Sequence, residues 1–177
     1  ECTQLTAAAA VSLVRAIRQC TGVHAGIKWP NDIQIKGRKV AGILTEMSAE
    51  IDHVRHVILG IGIDVNQTAS DFTGELSGIA TSLKLALGKA VDRAQLAEQI
   101  LRELDADYDR ILNRQFPLIA EEWAGHCTTL GKEVIVDMGS RRISGRAEAL
   151  DESGALLIRT QHGRMERVIG GDVTLTK

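Results

Sequence analysis

Lys28-Trp29-Pro30-Asn31-Asp32 sets two chargeable side chains around a residue that fixes φ and removes a backbone donor. Asn31-Asp32 favours a turn, so a strand interrupted here belongs at an edge or a bulge. A kinked edge would simply leave Lys28 in solvent. A bulge would instead aim Asp32 into a cleft, where a carboxylate holds Mg²⁺ or a substrate amine. Magnesium on phosphate substrates often uses only one or two protein carboxylates. A second segment, Arg38-Lys39-Val40-Ala41-Gly42-Ile43-Leu44-Thr45-Glu46, runs from basic into small and apolar residues. Lys39 at the mouth of a strand is either a solvated charge or a compact cation that neutralises a carboxylate and a phosphate at once. Gly42 would admit a ligand to the backbone.

Other candidate patterns carry less. Gly60-Ile61-Gly62 lacks the third glycine of a dinucleotide-binding loop, because position 65 is Val65 and no helix pattern follows. His53 and His56 share a face only on a helix, so in a strand or turn they read as surface histidines. His126-Cys127 has no third partner, and adjacency in sequence is not a catalytic geometry. From residue chemistry alone the chain is a ligand-binding α+β protein with a candidate anion site.

The elements around these residues are legible from periodicity. Leu5 to Cys20 repeats Ala10, Leu13, Val14 and Ile17 at helical spacing, with Gly22 as a stop and Ala7 to Ala10 permitting close approach of a neighbour. Three apolar segments follow: Gly26 to Ile35, Lys39 to Met47, and Val54 to Asn66. A hairpin is expected at Lys36-Gly37-Arg38. The nearly continuous run in the third segment predicts a strand buried on both faces. One short helix is expected through Ile79, Leu83 and Leu87. A long one should start at the N-cap Asp92, with Gln95 three residues on as in a capping box. Leu96, Ile100, Leu104, Tyr108 and Ile111 line its apolar face, and a last helix runs through Ile119 and Trp123. After Cys127 four short β-type segments predict a small antiparallel barrel.

Composition narrows the function classes. The 177 residues are 44% hydrophobic and 25% charged with formal charge −2, an ordinary globular balance. Residues 1–127 hold 13 basic and 16 acidic groups and residues 128–177 hold 8 and 7, a split in keeping with a boundary near Cys127. The near-zero net charge argues against a large nucleic-acid footprint. Aromatic residues are too few for a base-stacking platform. No apolar run reaches the roughly 18 residues of a membrane span. Three cysteines without a Cys-x-x-Cys pair argue against a disulfide framework or zinc ribbon. A cytoplasmic protein with no membrane or nucleic-acid partner is expected.

In order and spacing, the Lys28–Asp32 segment, the Arg38–Glu46 segment and Gly60-Ile61-Gly62-Ile63-Asp64-Val65-Asn66 resemble three successive motifs of the biotin–protein ligases. Gly170-Gly171-Asp172 is similar to that family's Gly-Gly-acid turn, so the likeness spans essentially the whole chain. The resemblance implies an α+β fold: a mixed β-sheet covered by helices over residues 1–127, shared with lipoate ligases, then an SH3-like β-barrel over 128–177. It implies an enzyme that joins biotin to ATP as biotinyl-AMP with release of pyrophosphate. The biotinyl group then passes to a lysine of a biotin carboxyl carrier domain. ATP and Mg²⁺ are the implied cofactors. By matching position, Lys39 and Asp32 are the implied catalytic residues, with Asp32 also the metal ligand. Lys39, Gly42, Leu44 and Gly62 would bind biotin, and Lys28, Asn31 and Asp64 would bind ATP. A homodimer is a further expectation.

Two departures qualify these expectations. The family's basic loop, Gly-Arg-Gly-Arg-x-Gly-Arg, belongs upstream of the first helix and does not occur in these residues, which are therefore expected to be a partial, weakly active or inactive piece. Asp64 stands where the family commonly has an asparagine that reads adenine, and an ionised carboxylate accepts hydrogen bonds without donating any. Two other readings share the fold: a non-catalytic ligand-binding and dimerisation module of a biotin repressor, and a lipoate–protein ligase. The barrel and the Lys28–Asp32 segment favour biotin over lipoate.

Overall fold

The structure, a computed structural model, describes residues 2–50 and 53–175, the side chains of residues 49, 50, 53, 54 and 175 excepted. His53, one of the two histidines weighed above, thus has its side chain outside the described set. Helix α1 (Cys2–Thr21) begins three residues before the expected Leu5. Ala7, Ala8, Ala9 and Ala10 are at most 4% exposed, because methyl-sized side chains let a sheet on one side and helices on the other close onto the helix. Its end is set by Gly22, whose N–H reaches Arg18 O at φ +73.

Strands β1 (Gly26–Lys28), β2 (Asp32–Ile35), β3 (Arg38–Glu50) and β4 (His53–Ile63) form one sheet in that order, each pair antiparallel. The parallel component is confined to two isolated bridges, Ile27 with Cys127 and Lys39 with Ala80. Residues 26–35 are therefore a hairpin rather than one segment. Trp29-Pro30-Asn31 is its turn, and the Trp29–Pro30 peptide is cis. Between β2 and β3 the two-residue turn Lys36-Gly37 has both φ values positive, the hand that matches strand twist.

Alternation along β3 separates the sheet's faces. Ala41 and Ile43 are buried, and Thr45 Oγ1 lies 2.9 Å from Thr6 Oγ1 of α1, so odd positions meet the helix. Even positions Gly42, Leu44 and Glu46, with their β4 partners Gly62, Gly60 and Ile58, make the opposite face. There Leu44 is 60% and Ile58 54% exposed. The expectation that β4 is buried on both faces is corrected. None of its described side chains is buried, because α1 covers one face and no described element covers the other.

The single short helix expected through Ile79 and Leu87 is two, α2 (Leu76–Ile79) and α3 (Leu83–Leu87). Thr81 N–H donates to Lys39 O at 2.8 Å, which pulls the intervening residues onto β3. Ser82 then caps α3, and Gly88 ends it at φ +82. In α4 (Arg93–Leu112), the Asp92 carboxylate accepts from Ala94 and Gln95 N–H. Gln95 returns no bond among the described residues, so the cap is one-sided. With α5 (Phe116–His126), α4 packs on α1. Arg15 of α1 bonds Glu103 and Asp107 of α4 and Glu122 of α5, while Ser12 also donates to the fully buried Asp107. Burial pulls the Arg15 pKa down, but these three carboxylates raise it above its ordinary value.

The remaining chain forms β5 (Glu133–Asp137), β6 (Arg142–Leu150), β7 (Leu156–Arg159), β8 (Met165–Val168) and β9 (Asp172–Leu175). They pair antiparallel in the order β8-β7-β6-β5-β9. Four strands were expected here, but the last expected segment breaks at Ile169-Gly170-Gly171 into two. Gly171, at φ +136, lies so near Asp137 O that a Cβ would come within 2.7 Å of it. This second sheet is fastened to β1. Thr128 N–H donates to Ile27 O at 2.7 Å, and Trp29 N–H donates to Thr129 Oγ1 at 3.1 Å.

Candidate functional site

The turn before β2 is rigid for local reasons. Asn31 O accepts from Ile43 N–H at 2.9 Å, and its Nδ2 donates to Ile43 O at 2.7 Å. Trp29 is 3% exposed and held through Thr129. Asn31, expected at ATP, therefore has its amide bonded to β3, where it fixes the geometry of the turn. That clamp places Asp32 directly across from Gly42, which in turn lies across from Gly62. Asp32, Gly42 and Gly62 form one row on the open face.

Lys39 reaches into the row because a register shift lies between the Ile33–Ala41 and Gln34–Lys39 pairs. Its Nζ is 2.5 Å from Asp32 Oδ1. A Cβ on Gly42 would meet Lys39 Nζ at 3.1 Å and Cε at 3.2 Å. The glycine thus gives room to the lysine side chain as well as to any ligand. By contrast, a Cβ on Gly62 would meet nothing within 4 Å, and one on Gly60 only Leu44 at ordinary contact distance. Both glycines leave a bare floor beside Leu44 without any described residue that needs the space.

Lys28 pairs with Asp32 in register but not in charge, since Asp32 is engaged by Lys39. Asp64 follows β4 directly. Its N–H donates to Val40 O, and its own carbonyl accepts from Leu83 N–H, so it is pinned between β3 and α3. Burial raises the Asp64 carboxyl pKa above the ordinary range, and the Lys39 ammonium partly opposes that rise.

Asp32, Lys28 and Lys39 share a cleft of about 790 Å³ whose far wall is Asp137, Met138 and residues 169–173. Sequence reasoning assigned no site residue in that wall. The only signal was the Gly-Gly-acid turn, which gave a likeness without a position. His56 is exposed and lies away from this cleft. Among the described residues, no group of three or more His, Cys, Asp or Glu is arranged to hold a metal by itself. No described helix is long and apolar enough to cross a membrane.

The whole arrangement has close counterparts. The biotin protein ligase of Aquifex aeolicus superimposes with TM-score 0.86 at 28% identity, over 99% of this chain and 75% of that one. The same Aquifex enzyme solved in complex with biotin and ATP gives 0.82. Residues 2–64 match the biotin/lipoate A/B protein ligase family, and residues 129–175 match the biotin protein ligase C terminal domain. The biotin–[acetyl-CoA-carboxylase] ligase of Paracoccus denitrificans is 33% identical over 91% of this chain and 68% of its own length. The chain belongs to the biotin protein ligase family. It is also 41% identical to the bifunctional ligase/repressor BirA of Bacillus subtilis over 97% of its residues, and it spans about half the length of that relative.

Proposed function

We propose that this chain carries the Lys39 half of a biotin–protein ligase site and that the protein it belongs to makes biotinyl-AMP and transfers biotin to a carrier lysine. The observation that carries this reading is the Lys39–Asp32 pair at the end of a glycine-floored track on an uncovered sheet face. An apolar ligand tail lies along Leu44, Gly60 and Gly62, with its carboxylate at the Lys39 ammonium. The chemical obstacle is the meeting of two anions. A biotin carboxylate oxygen attacks the α-phosphorus of ATP, and the bond to the β-phosphate breaks to release pyrophosphate. Lys39 is within reach of both anions and neutralises them together, so its contribution is positioning and charge.

In the second step the carrier amine attacks the acyl carbon and AMP leaves. Asp32 attracts the incoming ammonium and takes up its proton. Lys28 and Asp64 flank the cleft as the nucleotide side, with Asn31 holding the turn that orients both. Mg²⁺ fits this donor set: one carboxylate, Asp32, on a face otherwise supplied by substrate phosphate oxygens, which is how magnesium is usually held. When bound it supplies further charge neutralisation at the phosphates. We also propose that residues 1–127 and 128–177 act as catalytic part and SH3-like C-terminal part. A cytoplasmic homodimer is the assembly in keeping with the family.

Biotin-dependent exchange of labelled pyrophosphate into ATP by the full-length protein tests this, with lipoate as the control acid. Exchange with biotin alone is expected. Exchange with lipoate but not biotin, or with neither, overturns the reading. In the full-length protein, Asp32→Ala should impair the ATP-dependent step while leaving biotin binding; equal loss of both would mark Asp32 as structural.

A further inference from the structure

Beyond the Lys39 cleft, a second groove of about 600 Å³ runs between the β2–β3 hairpin and the C-terminal sheet. His24, Lys28, Lys36 and Lys132 line it, and no carboxylate does. None of these four has an ion-pair partner among the described residues. In the adjoining sheet, Arg141, Arg142, Arg159 and Arg167 each have a carboxylate partner. The one acid in register with the groove, Asp32 opposite Lys28, is already bound to Lys39. In a chain of net charge −2, this groove gathers three lysines with no carboxylate among its lining residues, on the side where the two sheets meet.

Lys28 and Val173 line both the groove and the Lys39 cleft, so whatever occupies the groove lies beside the reacting atoms. We propose that this groove receives an acidic face of the carrier domain whose lysine is biotinylated, an inference that rests on the ligase reading above. A protein-sized acceptor cannot enter the cleft whole; it must rest on the rim and extend one lysine inward. Opposite charge on rim and carrier steers that encounter and fixes its register. Nucleic acid fits less well. The groove has no Phe, Tyr or Trp for stacking, and three lysines fall short of the phosphate contacts that hold a duplex. The occupant recognised here is an anionic protein surface.

The test uses the full-length ligase with a purified, unbiotinylated carrier domain, and compares transfer kinetics with biotin-dependent pyrophosphate exchange. In Lys36→Glu/Lys132→Glu, the KM for carrier should rise at least about tenfold at low salt, with the difference shrinking as salt is added. Pyrophosphate exchange should stay within about twofold of the unaltered enzyme, because neither lysine touches the reacting groups. Lys36 has a positive φ, so the milder Lys36→Asn/Lys132→Gln, which suits that backbone, should raise KM about threefold. Lys89→Glu/Arg93→Glu changes net charge equally at exposed residues that line neither the groove nor the cleft, and should leave KM unchanged.

An unchanged carrier KM in both groove variants, or an equal rise in the distant control, overturns the proposal. So does weakened binding of a short DNA duplex with carrier KM unmoved, which would assign the groove to a different polyanion. Absence of exchange in the unaltered protein would instead remove the ligase reading itself, and the docking proposal with it.

Discussion

The two faces of the four-stranded sheet are built from alternate residues of the same strands and have opposite character. On one face Ala41 and Ile43 are sealed under α1, which is itself locked to α4 and α5 through Arg15. On the other, Lys39, Gly42, Leu44, Gly60 and Gly62 are open to solvent or only partly covered. Tight packing on the first face fixes strand positions, and absent side chains on the second leave space above them. The proposed site is held still by what lies beneath it.

Breaking the sealed side should have the largest effect. Arg15→Met removes one of the two guanidiniums on the buried Asp107 carboxylate, leaving Arg110 and Ser12, and should lower unfolding free energy by about 2–3 kcal/mol in a urea titration. A loss below about 1 kcal/mol would mean that the helices are held by apolar contact alone.

On the open side the ranking turns from stability to activity. Lys39→Ala in the full-length protein should slow adenylate formation at least about a hundredfold with its unfolding midpoint unchanged. Near-normal turnover would remove Lys39 from the reaction. Gly62→Val should reduce biotin affinity at least about tenfold, by filling the track, while stability holds or rises with the better strand former. Calorimetric titration alongside thermal unfolding separates the two. Unchanged affinity would place biotin elsewhere.

A smaller effect sharpens the contrast with the second sheet. Burial pushes the Asp151 carboxyl up, but the Ser153 hydroxyl, the Ala155 and Ser153 N–H groups and Arg167 outweigh it and hold its pKa at about 2. The folded pKa lies below the unfolded one, so this stabilisation is present above about pH 4 and is lost as pH falls towards 2. Asp151→Asn should remove about 1 kcal/mol at neutral pH and flatten unfolding between pH 4 and pH 2, a solvent-discounted figure for a partly exposed pair. The smallest change is expected for Asp64→Asn: ATP affinity equal or a few-fold tighter, since an amide both donates and accepts. A large loss would show that the carboxylate itself is needed.

Local chemistry made much of this legible in advance. Pro30 and the Asn31-Asp32 pair announced an interrupted strand; the structure makes it a hairpin clamped by Asn31 on Ile43. The helical spacings of α1 and α4 and the Asp92 cap are properties of neighbouring residues and were read directly. What was missed depends on partners far away in the chain. The apolar run of β4 looked doubly buried because composition cannot say whether a second layer is present. Lys39 filling the space over Gly42 follows from a register shift, and the far wall of the cleft from a strand break 100 residues and more downstream. Neither leaves a local trace.

Gly60 and Gly62 are two positions apart, which in a strand means the same side. The consequence is one of evolutionary arithmetic. Residues gained or lost inside the paired region of β3 and β4 keep both glycines on the open face only when their number is even. A single deletion within β4 would exchange the two glycines for Ile61 and Ile63, and the floor of the track would become a ridge of branched side chains. Point substitution can erode this site gradually, but a frame slip of one residue inverts it in a single event.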